Sequence, residues 1–86
     1  MTVTIPAETW VNLYTLTAYA VGRQLEVQNI SATDVYLSDS AAQPAKDSKE
    51  YRVATSRSFL INDNGDLGAW AFSPQTDARL NVRLVV

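Results

Sequence analysis

The sequence predicts an all-β fold, a single antiparallel β-sandwich or small barrel of about seven to eight short strands spanning residues 1–86. Three observations carry this expectation. Apolar residues recur with period two along most of the chain, the pattern of strands with one buried face. Clusters of turn-forming residues recur about every 8–12 residues. No internal repeat, linker or low-complexity tract divides the chain, and 86 residues suit one domain.

Taken in order, residues 2–5 alternate Thr with Val and Ile and stop at Pro6, which lacks a backbone donor and belongs at a strand end or edge. Residues 8–16 alternate less cleanly, with Trp10, Asn12 and Tyr14 on one side and Val11, Leu13 and Thr15 on the other. Their β-branched and aromatic content predicts a strand; the competing reading is a short helix entered through Pro6. Residues 15–22 then read as a connecting turn. Leu25 and Val27 point one way from the next strand, Glu26 and Gln28 the other, and residues 35–38 resume the alternation. Between them, residues 29–34 are rich in side chains that bond their own backbone, so the two runs predict a hairpin.

Residues 39–50 form the longest polar stretch, twelve residues including Pro44, Lys46, Asp47, Lys49 and Glu50. It lacks a helical period and reads as a mobile loop, a candidate contact arm. Further strands are predicted at 51–54 (Tyr51 and Val53 on one side), at 58–61 (Phe59 and Ile61 together), at 67–73 (Trp70 and Phe72 opposite Ala69 and Ala71), and at 79–86 (Leu80, Val82, Leu84 and Val86 inward). Asn-Gly within residues 62–66 and Ser-Pro within 73–77 mark turns.

Composition bounds the function. The net charge is −2, and the seven cationic residues are scattered, so neither the clustered charge of a nucleic-acid interface nor a polybasic membrane anchor is present in the sequence. There is no cysteine and no histidine, which removes thiolate ligands, disulfides, and the commonest general base and metal ligand. Charged residues make up 19%, below the usual quarter, and a domain this small leaves much of its surface open to partners. The N-terminus does not read as a signal peptide, no run is long enough to span a membrane, and cytosolic synthesis is expected.

No motif predicts catalysis, and no cofactor or metal is expected. Aligning Gly65 with the invariant glycine of a calcium loop puts Leu60 and Ala71 at ligand positions, where neither can serve. Asp34, Asp39, Asp47 and Glu50 are near in sequence, but no base or nucleophile accompanies them. No serine sits in a Gly-x-Ser-x-Gly elbow, and no glycine-rich phosphate loop occurs. Asn29-Ile30-Ser31 matches a glycosylation acceptor but reads better as a turn. Trp10, Tyr14, Tyr19, Tyr36, Tyr51 and Trp70 are read chiefly as packing residues. Tyr36, on the polar side of its strand, and Tyr19, in a turn, are the better interface candidates. With Lys46, Asp47, Lys49 and Glu50 they make up the candidate interface.

Several stretches in combination carry a resemblance: Val3-Thr4-Ile5-Pro6-Ala7, Trp10-Val11-Asn12-Leu13-Tyr14, Ala20-Val21-Gly22, Leu25-Glu26-Val27-Gln28-Asn29, Asp34-Val35-Tyr36-Leu37-Ser38, Gly65-Asp66-Leu67-Gly68-Ala69-Trp70-Ala71-Phe72-Ser73 and Leu80-Asn81-Val82. Spanning nearly the whole chain, they resemble small virion-associated structural proteins of tailed bacteriophages. The resemblance implies a capsid decoration protein, or else a small tail or head–tail accessory protein. It implies a virion location after synthesis in the host bacterial cytoplasm. The implied partners are the major capsid protein or another virion protein, and further copies of the chain, with a trimer favoured around capsid axes. It carries over no functional residue. The rival expectation is a carbohydrate-binding module using Tyr36 or Trp70 as a platform.

Overall fold

The computed structural model describes residues 1–62 and 68–85. It is a sandwich of two four-stranded sheets, built from β1 (Thr2–Ile5), β2 (Val11–Asn12), α1 (Leu13–Thr17), β3 (Leu25–Asn29), β4 (Val35–Ser38), β5 (Arg52–Ala54), β6 (Phe59–Ile61), β7 (Trp70–Phe72) and β8 (Ala78–Leu84). The first sheet runs β1-β8-β3-β6 and the second β2-β7-β4-β5, with every strand pairing antiparallel.

The period-two pattern explains the core. Val3 and Ile5 of β1, Leu25 and Val27 of β3, and Leu80 and Val82 of β8 all turn inward and are buried, as the alternation requires. From the second sheet come Val35, Leu37, Ala54 and Ala71. Aromatic Trp70 and Phe72 share one face of β7 and Ala71 takes the other, as expected. It is the alanine face that meets the core, where a small side chain lets the sheets approach bulky Leu and Ile.

Two expectations are corrected. Residues 8–16 are not one strand. Two residues pair with β7, Val11 opposite Ala71 and Asn12 opposite Trp70, and a five-residue helix follows. Asn12, not Pro6, starts it: its Oδ1 accepts from the N–H groups of Tyr14 and Thr15, at 2.9 and 3.4 Å, the bonds of an N-cap. Ala18, at φ 63°, ends it by donating to the Tyr14 carbonyl. So short a helix has little intrinsic stability; burial of Leu13, Tyr14 and Thr17 holds it.

The segments around residues 24–30 and 35–38 form strands but no hairpin, because β3 and β4 lie in different sheets. The reason is the buried Asn29. Its Nδ2 donates to the carbonyls of Thr33 (2.7 Å) and Ala54 (2.8 Å), and its Oδ1 accepts from the Ser31 N–H at 2.9 Å. One side chain thus satisfies the corner where the chain changes sheets. Its burial also removes it as a glycan acceptor.

β8 lies between β1 and β3, so its backbone is occupied on both sides and it offers no edge to a neighbour. Of the two terminal strands, only β1 is an edge. The expected turn at 62–66 and the inward Val86 fall largely on 63–67 and 86, outside the described residues. Asn62 is described and buried. It accepts the Leu25 N–H at 2.6 Å and donates to the Tyr14 hydroxyl at 3.0 Å, tying α1 to the first sheet.

Candidate functional site

Antiparallel pairing sets Tyr36 of β4 between Phe72 of β7 and Val53 of β5, on the face of the second sheet that points away from the core. Tyr51, just before β5, joins them. The rings form a layer. Tyr36 stacks on Tyr51 with centroids 4.0 Å apart and planes at 16°, and lies 6.0 Å from Phe72 at 8°. Trp10 closes the layer, 5.1 Å from Phe72 and 6.4 Å from Tyr51. These are favourable aromatic separations. Trp10 and Phe72 are buried, and Tyr36 and Tyr51 are half-buried. The outer face of this sheet therefore carries a second, smaller apolar cluster.

The loop of residues 39–50 is fastened to it. The Trp10 indole N–H donates to the Ala45 carbonyl at 3.1 Å, and the Trp70 indole N–H to the Ser40 carbonyl at 2.9 Å. An indole N–H withdrawn from water needs such a partner, and for buried Trp10 and half-buried Trp70 alike it is a backbone group of the loop. At the loop's root, Arg52 pairs with Asp39 at 3.5 Å. The expectation of a free arm is thus corrected: the loop is pinned at two carbonyls. Beyond the pins, Lys46, Asp47, Lys49 and Glu50 are all exposed, two charges of each sign.

Tyr36 is a half-buried ring within this layer, stacked with Tyr51 and Phe72. Partial burial raises its pKa above the ordinary tyrosine value; a hydrogen bond and charge interaction with Tyr51 add to the rise, as does the charge of the nearby Asp34 carboxylate. Beside its ring edge is a groove of ≈ 360 Å³ lined by Ala32, Thr33, Asp34, Tyr36, Pro74 and Gln75. Stacking of a sugar needs an open ring face, and the Tyr36 faces are turned to Tyr51 and Phe72.

Through Tyr51 and the Trp10–Ala45 hydrogen bond, the loop that carries Lys46, Asp47, Lys49 and Glu50 is tied to the same aromatic layer as Tyr36. The structure does not add Tyr19, which follows α1, packs against the main core and donates its N–H to the Thr17 hydroxyl at 3.2 Å. Two functional side chains escaped the sequence reading: Trp10 and Trp70 as anchors of the loop. Their signal was chemical, two indole donors that must find acceptors, but sequence does not say where those acceptors lie. Among the described residues, no group of three or more His, Cys, Asp or Glu could hold a metal ion. The arrangement offers noncovalent contact: mixed charges raised on a fixed base.

Comparison with protein-family models, with curated proteins and with solved structures finds no match for this chain.

Proposed function

We propose that the protein is a non-enzymatic structural component of a tailed-phage particle, a decoration protein that binds the assembled head. The observation that carries this reading is the pinned loop. A contact surface works best when its ordering entropy is lost on folding rather than on binding, and two indole anchors accomplish that here. The exposed Lys46, Asp47, Lys49 and Glu50 supply a mixed-sign pattern that selects a complementary partner and fixes register. Weak individual contacts suffice on a capsid, where a repeating lattice multiplies them. The resemblance over most of the chain supports the same reading, with the major capsid protein as partner, the virion as location and the host bacterial cytoplasm as the place of synthesis.

The test uses heads prepared without this protein. Purified protein is added back and bound copies are counted, for the natural sequence and for a variant with Lys46, Asp47, Lys49 and Glu50 all changed to Ser. Binding reduced at least about tenfold with an unchanged melting temperature supports the loop as the contact, since surface changes seldom move stability by more than ~0.5 kcal/mol. Equal binding by both proteins removes the loop from the interface.

A further inference from the structure

Among the described residues, one edge strand of the first sheet carries exposed apolar side chains. β6 is the outermost strand beside β3. Asn29 N–H donates to the Ser58 carbonyl at 3.0 Å, and Asn62 N–H to the Leu25 carbonyl at 3.2 Å. Residues 58 and 62 therefore face β3 with their backbone groups, and by alternation so does Leu60. The N–H and C=O groups of Phe59 and Ile61 face away from the sheet. The Ile61 carbonyl accepts the Arg52 guanidinium from β5 at 3.1 Å and retains a second lone pair.

The side chains of the same two residues are exposed, Phe59 by 56% and Ile61 by 40%. They stand on the outer face, since Ile61 is paired with Glu26 and Phe59 with Gln28. This edge carries the Arg52 charge at the Ile61 carbonyl, yet the two side chains beside it are apolar and exposed, where natural edges commonly place charge or proline.

We infer that two copies join β6 to β6 in antiparallel fashion about a twofold axis at Leu60. In that register Phe59 of each copy lies opposite Ile61 of the other, and the outward backbone groups of both exchange hydrogen bonds. Leu60 meets its own counterpart in a non-hydrogen-bonded pair. Self-pairing is what selects a second copy over another strand. It sets Phe59 beside Ile61 on both sides of the axis, so four apolar side chains cover one another. The other described edge of this sheet, β1, presents Thr2 and Thr4 outward and would leave them against hydroxyls. The twofold contact is isologous and closes on itself.

The two side chains expose roughly 200 Å² of apolar surface per copy, judged from the area of such side chains. Even with strand backbone added, the contact falls short of the ~1,200–2,000 Å² of a stable complex. The dimer is therefore concentration-dependent. This inference does not rest on the virion reading and would hold for the isolated protein.

The chain lacks cysteine, so single-cysteine variants report the register directly. Across a non-hydrogen-bonded pair Cα atoms lie about 4.5 Å apart, within disulfide range. Leu60→Cys is expected to yield a disulfide dimer under mild oxidation. Phe59→Cys is not, because two residues of offset place its counterpart beyond the ~7 Å limit. For the natural protein, sedimentation velocity is expected to show monomer passing to dimer with concentration. Phe59→Lys/Ile61→Lys is expected to stay monomeric with an unchanged circular dichroism spectrum. Equal cross-linking by both cysteine variants, a natural protein monomeric throughout, or a trimer that the lysine variant leaves intact would each overturn the inference.

Discussion

Gly68 and Ser40 meet backbone to backbone. A Cβ built on Gly68 would lie 2.3 Å from the Ser40 carbonyl oxygen, the same oxygen that accepts the Trp70 indole N–H. Gly68 also has φ +147°, a conformation that side chains resist. Substituting Gly68→Ala must push the loop off its anchor or strain the backbone. The expected loss is about 2–3 kcal/mol, combining a lost hydrogen bond with backbone strain, read from the urea midpoint. A variant as stable as the natural protein would show that the loop is not held at this point.

The loop's two faces predict opposite outcomes. Deleting residues 41–49 uncovers Trp10 and leaves its indole N–H without the Ala45 carbonyl. We expect a loss of roughly 2–4 kcal/mol, as for other exposed apolar side chains and orphaned donors. An arm free of the body would be removable without such a loss, so thermal melting of the deletion variant distinguishes the two.

Asn29→Ala removes three hydrogen bonds at once. It strands the carbonyls of Thr33 and Ala54 at the corner between the sheets. The cost is expected near 2–4 kcal/mol, the penalty of orphaned buried groups. Asn29→Asp keeps the acceptor but loses both donated bonds and brings a buried charge, so it should be worse still. Chemical denaturation of both variants checks the order.

Tyr36 makes stability sensitive to alkali. Its pKa is raised in the folded protein, so the neutral phenol is favoured by folding. Its contribution is fully present below the unfolded tyrosine pKa of about 10 and is lost as pH rises through the higher folded value. Denaturation midpoints should therefore fall above pH ~10. Tyr36→Phe should fall less steeply over that window, since the remaining tyrosines titrate in both proteins. Identical slopes would remove Tyr36 from the account.

How much of this was legible beforehand depended on the range of the signal. Period two placed Val3, Ile5, Leu25, Val27, Leu80 and Val82 inward without any knowledge of the fold, because side-chain alternation is a property of the single strand. The partners of those strands were not legible. Asn29 reads as a turn residue by type, yet its bonds to Thr33 and Ala54 make the chain leave the sheet, and the Ala54 contact is distant in sequence. Asn12 is a good helix cap, but the aromatic and β-branched neighbours around it read as strand, and only packing of Leu13 and Tyr14 settles the competition. The loop's length and polarity were plain, whereas its anchoring depends on where Trp10 and Trp70 fall in space. The exposure of Lys46, Asp47, Lys49 and Glu50 follows from the polarity of their segment, whereas the packing of Tyr19 against the core does not, because a turn residue can pack inward.

The central claim, a structural role in a phage particle, is tested most directly by counting copies of this protein in purified particles of the phage that encodes it, using quantitative mass spectrometry. The account predicts a copy number that matches the repeating lattice of the head. A low number matching tail symmetry would move the protein to the tail or neck, and absence from the particle would contradict the account.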